Sequence, residues 1–389
     1  MRDFTFQNTT KIIFGKHVLE SVGEETAASG KKVLLHYGSG HIKKTGLYER
    51  ITDSLKKAGV SWVELPGVMP NPRLSLVHEG VELCRREGVD FLLAVGGGSV
   101  IDSAKAIALG VPYSGDVWDF YAGKAEPKAA LPLGVVLTIA AAGSESSKGT
   151  VISNEETGQK LPVNYDDLRP RFAVMDPSLT MTLPAYQTAC GAADIMAHVM
   201  ERYFTQEPDV DLSDRLCEAT LKSVIQNTPV ALQKPDDYAA HAEIMWAGTV
   251  AHNDLLGMGR VEDWASHNIE HELSAVCDVA HGAGLAIVFP AWMQYVYKHN
   301  LPRFVQFAVR VWNVEERFDD PEATALEGIA RIKAFFKSIG LPTTLQEIGI
   351  GSDKIEDIAQ AGARNGGGAL GSFVKLSARD IAKLLKLAE

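Results

Sequence analysis

Short apolar runs alternate with longer amphipathic windows through the first half of this chain. The run at 31–37 ends at a glycine turn, and the run at 91–95 ends at a second glycine turn that opens a helix. Between them the pattern predicts a helix over 43–57, a strand at 62–65 and a helix over 74–87, with further strands near residues 135, 151 and 172. Strands that alternate with helices predict a parallel sheet with right-handed crossovers.

The composition and the apolar pattern of the sequence change after about residue 183. Windows rich in Ala, Leu, Glu and Met predict helices over 187–203, 213–225, 238–253 and 323–339. A chain of 389 residues is also long enough for two domains. We therefore predict an α/β domain with a parallel sheet over residues 1–182 and an all-α domain over residues 183–389.

Composition excludes several classes of function. The net charge is -11, and no basic stripe is present, so nucleic acid is not an expected partner. The four cysteines are scattered and form no C-x-x-C pair, which argues against a cysteine metal site. The first residues lack the apolar core of a secretory signal, and no apolar run is long enough to span a bilayer. We expect a cytoplasmic protein.

One carboxylate and several imidazoles recur at helical spacing in the second half. Asp194 and His198 are four residues apart, as are His267 and His271, and His281 follows shortly after. Residues four apart project from the same face of a helix. A carboxylate with several imidazoles suits a divalent transition metal, so this pattern predicts a metal site built on helices.

Ordinary explanations exist for parts of this pattern. An isolated histidine is usually structural, and the other seven of the 11 histidines, His252 among them, have no partner at ligand spacing. Asp194 would also be favoured as an acid near a helix N-terminus. Gly282 directly follows His281 and would permit a close approach of the backbone at the site.

The glycine turns predict phosphate contacts. Glycines at 96–98 follow an apolar strand and open a helix, whose free N–H groups favour an anion. The other interpretation is a tight turn with a helix cap, since Ser99 and Asp102 have the spacing of a capping box. The small residues at 138–144 would leave room for a cofactor or would only allow helices to pack closely.

A second glycine turn, Gly38-Ser39-Gly40, lacks the third glycine of a complete dinucleotide-binding fingerprint. Glu64 lies at about the distance expected for a ribose-binding acid. Because the glycine pattern is incomplete, we interpret Glu64 as a plain surface acid.

Taken together, the motifs resemble those of the iron-containing (group III) alcohol dehydrogenases, in the branch of butanol dehydrogenases and aldehyde reductases. The resemblance covers nearly the whole chain and rests on the segments FQNTTKIIFG, PNP, GGGSVIDSAKAIA, GSE, DPSLTMTLP, GAADIMAHVMERYF and DWASHNIEHELSAVCDVAHGAGLAIVFPAW. It implies the dehydroquinate synthase-like fold of that family. Residues 1–182 would then bind the dinucleotide, and residues 183–389 would bind metal and substrate.

The resemblance also implies site residues. By motif, the metal ligands are Asp194, His198, His267 and His281, while His271 is placed beside the nicotinamide and substrate as a catalytic residue. The implied cofactor contacts are Asn71, Gly97, Gly98, Ser99, Asp102, Thr138 and Lys160, with Leu183 and Gln187 on the nicotinamide side.

Two departures from the family pattern affect the cofactor. The small polar motif before GSE reads Ala140-Ala141-Ala142 here, which removes some hydrogen bonds to the cofactor. No acid stands at 37–41 to repel a 2′-phosphate, and Gly38, Ser39, His41 and Lys43 would hold one. We therefore expect NADP(H) to be preferred and NAD(H) to be possible.

The implied reaction is reversible oxidation of short- to medium-chain primary alcohols to aldehydes by hydride transfer, with Fe(II) or another divalent metal such as zinc. A polyol or glycerol dehydrogenase is the nearest alternative. A dehydroquinate-synthase-like lyase would need basic residues near the metal, and DWASHNIEHELS contains none. A nucleotide-binding scaffold would leave the metal pattern unexplained. The expected partner is a small molecule, in a homodimer or higher homo-oligomer.

Overall fold

A computed structural model describes residues 1–389, and the chain forms two compact units. The α/β unit comprises Gln7–Leu183, and the helical unit comprises Pro184–Glu389 together with Met1–Phe6. The sequence pattern assigns Met1–Phe6 to the first domain instead. In the structure, the Arg2 amide donates to the Gly259 carbonyl at 2.9 Å and the terminal amino group of Met1 donates to the Pro208 carbonyl at 3.2 Å, so these residues belong with the helices.

The α/β unit contains eight strands. They are β1 (Lys11–Phe14), β2 (Lys32–Tyr37), β3 (Ser61–Leu65), β4 (Phe91–Gly96), β5 (Leu133–Leu137), β6 (Gly149–Asn154), β7 (Gln159–Asn164) and β8 (Phe172–Met175). Six form a parallel sheet in the order β1-β8-β5-β4-β2-β3, while β6 and β7 form a separate antiparallel pair. The parallel sheet predicted from the alternating pattern is confirmed.

Six helices belong to the α/β unit. They are α1 (Val22–Ala27), α2 (His41–Lys44), α3 (Leu47–Lys57), α4 (Leu74–Glu87), α5 (Gly98–Gly110) and α6 (Trp118–Tyr121). The single helix predicted over 43–57 is wrong, because Gly46 adopts φ 74° and separates α2 from α3. A left-handed residue interrupts the helical hydrogen-bond ladder.

The helical unit contains nine α-helices. They are α7 (Ala185–Tyr203), α8 (Asp211–Gln233), α9 (Tyr238–His252), α10 (Ala265–Cys277), α11 (His281–Val296), α12 (Leu301–Trp312), α13 (Pro321–Ser338), α14 (Ile355–Asn365) and α15 (Ala378–Lys386). From Ala189 onward nearly every residue of α7 is buried, as is most of α11. Helices buried on all sides form the centre of such a unit. None of the helices combines the length and apolarity that a membrane span requires.

The central strands β2, β4 and β5 are buried almost throughout, as expected for a parallel sheet covered on both faces. His36 is the polar exception in β2. Its Nδ1 lies 2.7 Å from the Leu65 carbonyl oxygen, and its Nε2 lies 2.8 Å from Ser103 Oγ. Burial lowers the pKa of His36 to about 4. The neutral ring therefore donates from Nδ1 and accepts the serine hydroxyl at Nε2.

The carboxyl ends of the strands define one edge of the sheet. β2 and β4 are neighbours, and their connections leave in opposite directions, to β3 on one side and through α5 to β5 on the other. A crevice outside the strand ends forms at such a reversal of strand order, and it is where ligands bind in open α/β sheets. The glycine turns after β2 and β4 lie at this position.

His36 gives the α/β unit a specific sensitivity to acid. Because its pKa is lowered in the folded chain to about 4 from an unfolded value of 6.5, its contribution is intact above pH 6.5 and is lost as the pH falls toward 4. At about 1.4 kcal/mol per pH unit, the loss of this contribution lowers the free energy of unfolding by roughly 3 kcal/mol. His36→Asn keeps a donor for Leu65 but cannot titrate. We expect a shallower acid slope in its free energy of unfolding, measured by urea titration.

The exposed His299→Asn variant is the control and should keep the wild-type slope. Equal slopes for wild type and His36→Asn would contradict the prediction.

Candidate metal centre and cofactor-binding residues

The long buried helix α7 supplies the first two candidate ligands. Asp194 and His198 lie one turn apart, and both are about 5% exposed or less. Nε2 of His198 lies 3.4 Å from Oδ1 of Asp194. The spacing of four residues therefore brings the carboxylate and the imidazole together, as the sequence predicts.

The starts of α10 and α11 supply two more imidazoles. His267 lies in the first turn of α10, and His281 is the first residue of α11. Their Nε2 atoms lie 4.0 Å and 3.8 Å from Oδ1 of Asp194. The ligand atoms of Asp194, His267 and His281 all lie within 4.8 Å of one another, and His198 adds a fourth donor beside them.

These donors fit a divalent transition metal. Nε2 of His267 is buried and has no hydrogen-bond partner in the protein, so its lone pair is available to a metal. Burial lowers the pKa of His267 to about 3 and the pKa of His198 well below its usual value. Both rings are therefore neutral, the form in which imidazole binds metals. One carboxylate oxygen and three imidazole nitrogens suit Fe(II) or Zn(II).

Two buried glutamates lie behind the histidines, and the sequence patterns do not single them out. Oε1 of Glu201 accepts from Nδ1 of His267 at 2.8 Å, and Glu270 bonds to Nδ1 of His281. Burial raises the pKa of Glu201 to about 8, while hydrogen bonds to its carboxylate act in the opposite direction. Glu201 lies three residues after His198 on α7, so helical spacing alone could have identified it.

Trp264 and His252 enclose the ligand rings. The Trp264 ring centroid lies 5.1 Å from that of His267 and 5.6 Å from that of His198. His252 stacks on His198 with ring centroids 4.2 Å apart. The sequence pattern finds no partner for His252 at ligand spacing and so gives no reason to expect this ring contact. His252 lies at the end of α9, and its contact with α7 is tertiary and leaves no spacing signal.

His271 lies one turn after His267 on α10 and is buried. Its ring centroid lies 5.6 Å from that of His281. The structure therefore places the proposed catalytic histidine next to a candidate ligand.

Gly282 allows α11 to begin against α7. A methyl group at this position would lie 1.9 Å from the carbonyl oxygen of Cys190, which is too close for any side chain. The close backbone approach expected from the sequence is present, and it fixes the position of the adjacent His281.

In the α/β unit, the turn after β4 forms the N-terminus of α5. Gly97 is the N-cap residue, Gly98 begins the helix, and Ser99 follows in its first turn. A methyl group on Gly97 would lie 2.8 Å from Cβ of Ile139. The Thr138 amide, after β5, donates to the Gly96 carbonyl at 3.0 Å. The candidate phosphate-binding residues of two neighbouring strands thus lie together.

The capping box predicted from Ser99 and Asp102 is wrong. No side chain caps α5. Asp102 instead accepts from the Ser144 hydroxyl at 2.7 Å and from the Val151 amide at 3.0 Å. Burial raises the pKa of Asp102. This residue therefore ties α5 to the segment that follows β5.

Asn71 and Lys160 are far apart in sequence and adjacent in the structure. Nζ of Lys160 donates to Oδ1 of Asn71 at 3.0 Å, and both residues are buried. Asn71 adopts φ 54°, a left-handed conformation that asparagine tolerates better than most residues. The contact joins the PNP turn to β7.

The turn after β2 differs from its sequence interpretation. Gly38 and Ser39 follow the strand, and His41 begins α2 with its side chain exposed. Glu64 is not a plain surface acid, because it accepts from the Tyr37 hydroxyl at 2.6 Å and from Nζ of Lys43 at 3.0 Å.

The Tyr48 hydroxyl is a third donor to Glu64. Burial alone would raise the pKa of Glu64, but these three hydrogen bonds hold it below its usual value. The Lys43 charge is therefore already paired.

The family resemblance implies two residues on the nicotinamide side of the cofactor. In the sequence they lie close to the boundary between the α/β unit and the helical unit. Leu183 is the last residue of the α/β unit, and Gln187 is an exposed residue in the first turn of α7.

A side chain at position 282 would clash with the Cys190 carbonyl oxygen and should displace His281. We expect Gly282→Ala to destabilise the protein by about 1–3 kcal/mol, the usual cost of overpacking, and to lower the content of bound divalent metal. Gly362→Ala in α14 is the control, because its methyl group would meet neighbours no closer than 3.5 Å. Thermal unfolding and elemental analysis test both variants. Wild-type metal content in Gly282→Ala would contradict the expected displacement.

Comparisons with known proteins identify the family. The family model for the iron-containing alcohol dehydrogenases matches residues 9–177, and the model for the C-terminal region of the same family matches residues 188–388. The NADH-dependent butanol dehydrogenase A of Clostridium acetobutylicum is 43% identical over 387 residues, covering 99% of both chains. The NADPH-dependent aldehyde reductase YqhD of Escherichia coli is 39% identical and covers 91% of both.

A solved structure agrees with these sequence matches. The crystal structure of the NADH-dependent butanol dehydrogenase A of Thermotoga maritima superposes with a TM-score of 0.96 at 44% identity, covering 100% of this chain and 99% of that one. The predicted fold class is confirmed. The chain belongs to the iron-containing alcohol dehydrogenase family and is an oxidoreductase of the alcohol dehydrogenase and aldehyde reductase class.

Proposed function

We propose that this enzyme interconverts short- to medium-chain primary alcohols and aldehydes of the butanol type, with NAD(P)(H) as hydride carrier and Fe(II) as metal. The convergence of Asp194, His198, His267 and His281 in the helical unit is the observation that carries the proposal. Relatives with full-length similarity are described as NADH-dependent butanol dehydrogenases and as an NADPH-dependent aldehyde reductase, which supports the substrate class.

The protein's part in the reaction follows from its side chains. Bound at these ligands, a divalent metal supplies Lewis acidity, which favours alkoxide over alcohol and polarises an aldehyde carbonyl. Asp194 and the three histidines hold that charge in a buried site, where electrostatic effects are strong. His271 would pass the proton of the alcohol toward solvent, and a bound nicotinamide would accept or supply the hydride.

The cofactor is held by the glycine turns of the α/β unit. The N-terminus of α5, with Gly97, Gly98 and Ser99, offers free backbone N–H groups to the diphosphate. Asn71, Asp102, Thr138 and Lys160 supply further contacts, and Leu183 and Gln187 face the nicotinamide. NADP(H) is preferred over NAD(H), because Gly38, Ser39 and His41 form a turn without an acid. Pairing of Lys43 with Glu64 weakens this preference.

The enzyme works in the cytoplasm as a homodimer or higher homo-oligomer. Light scattering of the purified protein gives the number of subunits directly.

His267→Ala tests the metal assignment and the activity together. We expect loss of bound metal and of butanal-dependent NAD(P)H oxidation, since one of four ligands disappears. His299→Ala removes an exposed histidine of the same unit and should change neither. Elemental analysis measures the bound metal, and the absorbance of NAD(P)H measures turnover. Glycerol oxidation is the comparison reaction. Full metal content in His267→Ala would refute its role as a ligand.

Glu64→Gln tests how the turn after β2 discriminates between the two cofactors. Removing this charge releases Lys43 for a 2′-phosphate, and the gain from one exposed charge pair is modest. We expect roughly a fivefold rise in the ratio of kcat/KM for NADPH to that for NADH. Glu49→Gln, an exposed acid on α3, is the control. Equal changes for both cofactors would contradict a role in discrimination.

A further inference from the structure

We propose that Glu201 and Glu270 are the positioning residues of the metal centre: each carboxylate holds Nδ1–H of one ligand histidine and turns its Nε2 toward Asp194. This inference rests on the proposed function, since it takes His267 and His281 as ligands. The two glutamates come from α7 and α10, and each is about 1% exposed or less.

Glu201 is surrounded by donors. Its Oε1 accepts from the His267 amide at 3.0 Å and lies 2.8 Å from Nδ1 of the same residue, and its Oε2 accepts from the Trp264 amide at 2.7 Å. Both oxygens therefore act as acceptors, which leaves the shared proton on Nδ1. The lone pair of His267 is then on Nε2, the atom that faces Asp194 and has no other partner.

Glu270 plays the same part for His281. One of its oxygens bonds to Nδ1 of His281, and the other accepts from the Ser274 hydroxyl. The glycine at position 284 makes room for this carboxylate, because a methyl group there would lie 2.7 Å from Oε1 of Glu270. Nε2 of His281 is again the atom directed at Asp194, at 3.8 Å.

His198 provides an internal contrast. Its Nδ1 is buried and has no hydrogen-bond partner in the protein. Ring contacts with His252 and Trp264 hold this imidazole instead. The ligand set is therefore asymmetric, with two imidazoles fixed by carboxylates and one fixed by stacking.

The energetic case is the cost of keeping two carboxylates buried beside the ligand histidines. A buried carboxylate is costly unless it is paired with positive charge. A metal bound at Nε2 of each histidine makes the imidazole a stronger donor to its carboxylate, and the carboxylate makes the imidazole a better ligand. Loss of such outer partners typically weakens metal binding about 10–100-fold.

The test compares Glu201→Gln and Glu270→Gln with the matched control Glu272→Gln. Glu272 is also buried on α10, and its carboxylate accepts from Asn365 at 2.6 Å. Co(II) is the probe, with its dissociation constant measured by chelator competition and its ligand field by visible absorption. We expect about 10–100-fold weaker binding and a changed spectrum in the first two variants, and less than about a twofold change in the control.

The outcomes separate failure of the proposed function from failure of the inference about Glu201 and Glu270. If wild type fails to bind Co(II), or if His267→Ala binds it as wild type does, the proposed function fails. If His267→Ala loses Co(II) while both glutamine variants bind it normally, only the inference about Glu201 and Glu270 is wrong. Because Glu201 also holds the start of α10, Glu270→Gln provides an independent test should Glu201→Gln not fold, as judged by circular dichroism.

Discussion

The structure of the helical unit is constrained by the cost of burying one carboxylate and two imidazoles in its centre. Asp194, His198 and His267 are each about 5% exposed or less, and their polar atoms lie among apolar helices. Such groups are tolerated only when their charges and lone pairs find partners. The donors converge within a few ångströms, so a divalent metal bound between them would satisfy them at once. Binding of a metal at this site would therefore also stabilise the helical unit.

The helix ends that bring these donors together are held by backbone contacts. α10 begins directly after its N-cap residue Trp264, which adopts φ 65° and whose amide donates to Glu201. A bulky residue with positive φ is strained, and it persists only where surrounding contacts hold it. α11 begins where Gly282 lies against the Cys190 carbonyl. The same contacts that pack the helices thus aim His267 and His281.

Sequence patterns predicted the elements whose spacing is local. α4 and α7 were predicted to within two residues, because apolar periodicity lies entirely within one helix. The strands β1 and β7 and the separate pairing of β6 were missed, since pairing depends on partners distant in sequence. Glu64 was misinterpreted for the same reason.

The candidate site follows the same division between local and distant contacts. Asp194 and His198 share one helix turn and were visible by spacing. Their convergence with His267 and His281, the contact of His252 and the hydrogen bonds of Glu270 all join separate helices. No period in the sequence encodes the distance between two helices, so only family motifs could bring these residues together in advance.

The α/β unit also buries a charged group, the ammonium of Lys105, and satisfies it with hydrogen bonds. Nζ of Lys105 donates to the carbonyls of Ser144, Ser147 and Gly149 at 2.7–2.9 Å. Burial lowers the pKa of Lys105 to about 8, while the carboxylate of Asp102, which holds Ser144, opposes the shift. One ammonium therefore fixes the backbone that follows β5, beside the turns proposed to hold the cofactor. In both units, buried charge sets the position of the groups that would meet the ligand.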